Sequence, residues 1–343
     1  MDQNLAIIIP AYKGAYLKRT LDSLVQQTNK NFSVYIGDDC SPENLPDIIN
    51  QYISLLNITY KKFSDNRGKS DLISQWERCL DMIQNEEYFI LFSDDDIMEA
   101  NCVEMFYQAL ACNHIYDVYH YNIDIIDQHE NITKHCNEYP QILSASEFIR
   151  LIYTYQIDAR MPEFIFRTSH FNETGRFIKF DLAYRSDNAT VLVCAEEKGI
   201  FSIEKAKVLW RDSGVNISST YNISTQKRKA IATIDFFNWL EAYYTSKNQT
   251  SPLTLKERLL LTITEISSLS PNYPHSELYK LLPLIRQITH SKTILFKSKC
   301  CLFLLIHQKR KTRKLIKKLI NIFLKSYKYC LRESLYNNLF PLF

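Results

Sequence analysis

Apolar positions along the first hundred residues alternate between two rhythms. Leu5–Ile9 form an unbroken apolar run of strand length that stops at Pro10. Leu17, Leu21, Leu24 and Val25 then recur at helical spacing. Phe32–Ile36 predicts a second strand, running into Gly37-Asp38-Asp39, and Ser41-Pro42 reads as an N-cap and first-turn pair that opens another helix. Ile58–Lys62 predicts a third strand and Asn66-Arg67-Gly68 a turn. Leu72, Ile73, Trp76, Leu80 and Ile83 line one face of the next helix, and Tyr88–Phe92 predicts a fourth strand. Strands that alternate with helices across short connections imply a mostly parallel α/β sheet covered on both faces. Beyond Ala100 the pattern is less regular to about Thr220, and from Gln226 it reads as helix with no clear strand. The expected organisation is an α/β domain over 1–220 and a helical C-terminal region over 221–343.

The polar clusters fall where such a sheet would need them. Pro10-Ala11-Tyr12, Asp38-Asp39 and Asp94-Asp95-Asp96 each follow an expected strand, and ligands of these sheets sit beyond the carboxyl ends of the strands. Three successive carboxylates at a strand end repel one another and lose hydration if half buried. A divalent cation offsets both, and the oxygen-only ligand set suits Mg²⁺ or Mn²⁺. Such a cation shares its remaining positions with substrate phosphates, so the cluster points to diphosphate chemistry. The competing reading of an isolated Asp-Asp-Asp is a solvated acidic loop; three polar clusters on one rim weigh against it.

Composition narrows the classes. Apolar residues at 46% and charged residues at 23% are ordinary for a globular protein. The nine cysteines are scattered without a C-x-x-C pair, which favours free thiols over a disulfide framework or a zinc site. Pro10 ends the first apolar run too early for a leader, and stretches such as Cys300–Ile306 fall short of a bilayer span. The expectation is a cytoplasmic protein, soluble or peripheral on the inner face of the cell membrane. Charge is unevenly spread: residues 281–343 carry 14 Lys and Arg against Glu333 alone. The preceding residues therefore hold 41 − 14 = 27 basic and 38 − 1 = 37 acidic side chains.

The N-terminal half resembles the family 2 glycosyltransferases. The resemblance is carried by Ile7-Ile8-Ile9-Pro10-Ala11-Tyr12, Ile36-Gly37-Asp38-Asp39-Cys40-Ser41, Asn66-Arg67-Gly68 and Phe92-Ser93-Asp94-Asp95-Asp96. Their order and spacing are more specific than any one motif. The resemblance covers residues 4–110 well and extends more weakly to about 220. It implies the GT-A fold, a nucleotide-sugar donor and Mn²⁺ or Mg²⁺ as cofactor. Pro10, Ala11 and Tyr12 would receive the base, with Tyr12 packing near it, while Asp38 or Asp39 would accept from uracil or ribose. Arg67 and Lys69 join the donor-binding set, Lys69 toward the diphosphate. The acidic cluster corresponds to the family's Asp-x-Asp motif, with Ser93 standing where the usual form has an Asp. Two registers follow, Asp94 with Asp96 or Asp95 with Asp96. Asp96 is common to both as metal ligand; Asp94 is taken as its partner in the first register, and Asp94 and Asp95 both border the donor.

The resemblance further implies an inverting displacement with a general base. Ala183-Tyr184-Arg185-Ser186-Asp187-Asn188-Ala189 matches the family's base segment, with Asp187 as the base and Ser186 as cap of the following helix. First-turn charge on that helix is the plainer role for Asp187. Asn188 stands where the family often has a second acid. Trp210-Arg211-Asp212-Ser213-Gly214-Val215-Asn216-Ile217-Ser218 resembles the segment that closes the site, with Arg211 set to neutralise the diphosphate. A surface salt bridge is the alternative for Arg211. The expected function is transfer of one sugar, from a UDP-sugar by preference, to a glycan or lipid-linked acceptor in surface-polysaccharide or lipopolysaccharide synthesis. A catalytically silent GT-A protein that binds nucleotide-sugar or glycan is the other class carried forward.

The C-terminal stretch 309–332 places Leu315, Ile316, Leu319, Ile320 and Phe323 on one helical face and Lys314, Lys317, Lys318, Lys325 and Lys328 around the other. A basic amphipathic helix suits an anionic membrane surface. No nucleic-acid-binding module is recognisable, and no such partner is expected. The Gly-rich loop of a nucleotidyltransferase and the Gln-x-x-Arg-Trp motif of a processive synthase are both missing from the sequence.

Overall fold

A computed structural model describes residues 4–214, 222–269, 272–286 and 292–306. The chain divides into two compact units: residues 1–148 with 157–219, and residues 149–156 with 220–343.

The first unit begins with β1 (Leu5–Ala11), α1 (Leu17–Val25), β2 (Phe32–Asp38), α2 (Leu45–Ile49), β3 (Ile58–Lys62), α3 (Leu72–Leu80) and β4 (Tyr88–Leu91). It continues with β5 (Ile97–Met98), α4 (Cys102–Asn113), β6 (Val118–Ile126), β7 (Ile132–His135), β8 (Ile142–Leu143) and the start of α5 (Ala145–Tyr153), whose residues from Ile149 belong to the second unit. After a 3₁₀ turn at Met161–Glu163 come β9 (Phe164–Arg167), α6 (Thr168–Glu173), α7 (Ser186–Cys194) and β10 (Ile200–Arg211). Among the described residues the strands form one sheet in the order β3-β2-β1-β4-β9-β6-β10-β5, with β7 on β6 and β8 on β10. β1 pairs in parallel with β2 and β4, β2 with β3, and β10 with β6; β9 runs antiparallel between β4 and β6. The α/β architecture expected from the alternation is present, with strands β3-β2-β1-β4 all parallel and the sheet mixed beyond them.

β1 explains why its sequence is continuously apolar. Leu5, Ala6, Ile7, Ile8 and Ile9 are all buried, because helices cover both faces of a parallel sheet. Gly37 in β2 shows how closely α3 sits: a Cβ there would lie 2.3 Å from Cys79 Sγ. Asp71 caps α3 by accepting the Ser74 N–H at 3.0 Å. Ser41-Pro42 does not open α2. The helix starts at Leu45 after Asn44, with Pro46 in its first turn. Ser41 instead accepts the Glu43 N–H at 3.1 Å and donates to the Tyr12 carbonyl at 2.6 Å, tying the second strand's exit loop to the first.

The stretch read as irregular contains β6, β9 and the twelve-residue β10. β6 alternates apolar residues with His120, Asn122 and Asp124, yet its polar face is buried. The segment after β7 covers it: Asn122 Oδ1 accepts the Tyr139 N–H, and Asp124 accepts from the Cys136 N–H and Lys207.

The second unit contains α8 (Ile223–Ser246), α9 (Leu255–Ser268), α10 (His275–Tyr279) and α11 (Lys292–Ile306). A capping box between Thr254 and Glu257 starts α9, and Ile234, Ile263, Ile266 and Leu302 share its core. No described helix is long and apolar enough to cross a membrane. The amphipathic stretch 309–332 lies outside the described residues, as do Val215 to Ser218 of the closing segment.

Candidate active site

The parallel strands β1, β2 and β4 deliver their carboxyl ends to one rim. Beyond β4 the chain is anchored by the Phe92 N–H on the Ile8 carbonyl at 2.7 Å, and then enters the acidic cluster. Asp94 Oδ2 accepts the N–H groups of Tyr12 and Lys13 at 2.9 and 3.1 Å. Asp94 therefore shapes the loop after β1, which is other work than the cation contact expected of it. The Tyr12 ring stands exposed at the rim.

Asp96 is fully buried. Its Oδ1 accepts the Arg211 N–H at 2.7 Å and its carbonyl accepts from Thr20 Oγ1 at 2.8 Å. Its Oδ2 is buried with no hydrogen-bond partner. Asp95, between them, is only partly covered. Burial raises the pKa of Asp95, and the charges of Asp96 and Asp94 raise it further. Burial also raises Asp96, with the Arg211 N–H and the Ser93 hydroxyl opposing and the charge of Asp94 adding to the rise. Two adjacent carboxylates that hinder each other's ionisation, one with a bare buried oxygen, fit a hard divalent cation. Among the described residues no set of three or more His, Cys, Asp or Glu side chains gathers into a complete cage.

Asp38 and Asp39 are less open than their expected role requires. Asp38 is fully buried, with Oδ1 accepting the Ser41 N–H at 2.7 Å and Oδ2 the Tyr60 hydroxyl at 2.7 Å. Both oxygens of Asp38 thereby brace the loop. Asp39 Oδ1 accepts the Arg67 N–H and Oδ2 the Gly68 N–H, both at 2.8 Å. Arg78, which the sequence offered no reason to single out, also bonds Asp39 and stacks over Phe63 at 4.0 Å. Asp39 thus holds the Asn66–Gly68 turn against the rim. The Arg67 side chain reaches back to Asp65, while Lys69 is exposed. Pro10 and Ala11 end β1, and the Ala11 carbonyl accepts the Asp39 N–H at 2.9 Å.

Arg211 is not free to meet a diphosphate. Its side chain is fully buried and donates to the carbonyls of Asp95 and Asp127 at 2.7 and 3.1 Å and to Glu130 at 3.3 Å.

Asp187 sits in the first turn of α7, where Oδ1 accepts the Asn188 N–H at 2.8 Å. Ser186 does not cap this helix: it is the first helical residue, and its hydroxyl accepts the Phe180 N–H. The approach is strained, with Leu182, Ala183 and Arg185 at φ of 60°, 55° and 75°. Burial raises the Asp187 pKa, against the Asn188 N–H and the charges of Arg185 and Arg160. Arg160 stacks over Trp210 at 4.8 Å, and the next residue's N–H holds Asp96.

A second acid lies close by, and spacing alone gave no sign of it. Glu163 is fully buried, receives the Tyr139 hydroxyl at 3.4 Å and stands 3.6 Å from His120 Nε2; its Oε2 has no partner. Burial pushes its pKa far up, and Asp187 adds to the rise. Burial pushes His120 down to about 3, so burial shifts both partners toward their uncharged forms.

The model of glycosyl transferase family 2 matches residues 6–178, half of the 343-residue chain. The chain belongs to the family 2 glycosyltransferases. Glycosyltransferase GlyG of Streptococcus pneumoniae serotype 4 is 25% identical over 111 residues, 32% of this chain and 36% of its own length. An uncharacterised glycosyltransferase of Haemophilus influenzae is 33% identical over 118 residues, 34% of this chain and 38% of its own. The chain thus spans less than two-fifths of these relatives' lengths. The fold of this family 2 member is similar to that of Staphylococcus aureus TarS 1-349, crystallised with UDP-GlcNAc. The TM-score is 0.54 at 17% identity, covering 88% of this chain and 90% of TarS 1-349. The likeness establishes the GT-A architecture.

Proposed function

We propose that the protein is an inverting, metal-dependent glycosyltransferase that moves one sugar from a nucleotide-sugar to a glycan or lipid-linked acceptor. The observation that carries the reading is the Asp95–Asp96 pair, in which a buried carboxylate oxygen has no protein partner. Asp95 and Asp96 would hold Mn²⁺ or Mg²⁺, which when bound supplies positive charge to the leaving diphosphate. Of the two registers in the acidic cluster, the one pairing Asp95 with Asp96 is favoured, because Asp94 braces the Tyr12–Lys13 loop.

Tyr12 offers an exposed aromatic face for the base, and the turn held by Asp39 brings Lys69 toward the same rim. Asp187 takes the proton from the attacking acceptor hydroxyl. The charges of Arg160 and Arg185 favour its carboxylate form against the larger effect of burial. An α-linked donor would give a β-linked product. UDP is the nucleotide to test first, since TarS 1-349 has been seen with a UDP-sugar.

A role in surface-polysaccharide or lipopolysaccharide synthesis, on the cytoplasmic face of a membrane, accords with the family and with the basic stretch 309–332. The test is nucleotide release from UDP-, GDP- and dTDP-sugars with and without Mn²⁺, in the presence of lipid-linked oligosaccharide acceptors. Metal-dependent release from one donor, abolished in Asp95→Ala and Asp96→Ala, is expected. UDP binding without release across all acceptors would instead identify a silent binding protein.

A further inference from the structure

We propose that Arg211 is a positioning residue for the acidic cluster: it locks the Asp95 peptide to the 127–130 turn and so fixes the Asp96 carboxylate, whose buried Oδ2 is left for a cation. The inference rests on the cation reading above and goes beyond it. Arg211 is the last residue of β10, in register with Ile126 at the end of β6. Two strand ends therefore bring its side chain under the acidic loop.

The guanidinium is used on several edges. Nε donates to the Asp95 carbonyl at 2.7 Å, Nη1 to the Asp127 carbonyl at 3.1 Å and Nη2 to Glu130 Oε1 at 3.3 Å. One face lies over the Tyr16 ring, 4.4 Å from its centre. The partners are themselves held. Asp127 Oδ1 accepts the N–H groups of His129 and Asn131, and Glu130 meets Arg19 Nε at 3.5 Å.

The consequence for Asp96 is geometric. The backbone of Arg211 takes Oδ1 while its side chain fixes the neighbouring peptide, which holds the carboxylate with Oδ2 free of any close hydrogen bond. A planar fork is needed for this. Lysine at 211 would keep the backbone N–H to Asp96 but has no set of edges to join Asp95, Asp127 and Glu130 at once.

The experiment is a titration of the full chain with Mn²⁺ alone, following the resonance of free Mn²⁺ by electron paramagnetic resonance. The variants are Arg211→Lys, Glu130→Gln and Asp96→Asn. Loss of an orienting partner of a metal ligand costs about 10–100-fold in affinity, so Arg211→Lys should bind Mn²⁺ at least about tenfold more weakly. Glu130→Gln, on the partly exposed turn, should show a smaller loss in the same direction. Asp96→Asn should lose the site. Mn²⁺ binding that depends on Asp96 but is unchanged in both Arg211→Lys and Glu130→Gln would overturn the positioning role and leave the cation reading intact. Binding indifferent to Asp96→Asn would overturn both. Should Arg211→Lys fail to fold, Glu130→Gln decides, because its side chain can be changed without emptying the buried position.

Discussion

Replacing Glu163 with glutamine should remove a loss of stability that the wild type suffers as pH rises. Glu163 is fully buried, its Oε2 has no partner, and burial raises its pKa far above that of a free glutamate. In the unfolded chain it ionises at the usual value, near pH 4.3. The folded state therefore binds more protons than the unfolded state throughout the interval between the two pKa values. Stability from this group is present below the unfolded value and is lost as pH rises toward the folded one. The rate of loss is about 1.4 kcal/mol for each pH unit. Glutamine has no such titration and keeps a neutral carbonyl for the Tyr139 hydroxyl. The stability of Glu163→Gln relative to wild type should consequently rise with pH above the unfolded value, by up to about 1.4 kcal/mol per pH unit, until the folded-state carboxyl ionises. For a unit of this size each kcal/mol is a change of roughly 2–4 °C in the difference between the two Tm values.

His120 slopes the other way: its pKa is lowered to about 3, so it stabilises above the unfolded value near 6.5 and loses that stability as pH falls. Both proteins carry His120, and its contribution cancels in the difference. Thermal melts of wild type and variant across this range, without added metal, make the measurement. Curves that stay parallel would refute the assignment of a protonated buried Glu163, and so would absence of a protonated-carboxyl infrared band that glutamine removes.

Asp187→Asn keeps the acceptor oxygen for the Asn188 N–H but cannot take a proton; turnover should fall by about 10²–10⁴-fold while calorimetric UDP binding persists. A Cβ at Gly68 would stand 2.6 Å from Asp39 Oδ2, so Gly68→Ala should displace the Asn66–Gly68 turn, weaken UDP binding and lower stability by about 1–3 kcal/mol in denaturant melts. Gly37→Ala collides with Cys79 Sγ inside the core and should cost a similar amount, about 1–3 kcal/mol. Adding Cys79→Ala should recover part of that loss in a double-mutant cycle, and strict additivity would refute the collision.

What could be read from the sequence followed from local chemistry. Strands β1, β2 and β4 announced themselves because a parallel sheet buries both faces, leaving apolar runs such as Leu5–Ile9, whereas β3 is a largely exposed edge strand. Polar clusters at their ends could be placed on one rim without knowing any side-chain direction. Direction is where the reading stopped. Asp38 and Asp96 look alike as letters after a strand, yet one is closed by Tyr60 and Ser41 while the other keeps a bare oxygen. β6 was missed because His120, Asn122 and Asp124 give it the alternation of a half-solvated strand, in a stretch with no helical pattern to frame it. Its polar face is covered by a distant loop carrying complementary donors.

The left-handed backbone at Leu182, Ala183 and Arg185 was equally hidden, since none of these residues favours positive φ. That strain leads directly into Asp187, and each such residue carries an energetic cost of about 1–3 kcal/mol that the surrounding packing must offset. A loop whose only task was to join α6 to α7 would have no need of it. The conformation is better explained by the demand to set one carboxylate at the start of α7, with Arg160 and Arg185 acting on its charge and the buried Glu163 beside it.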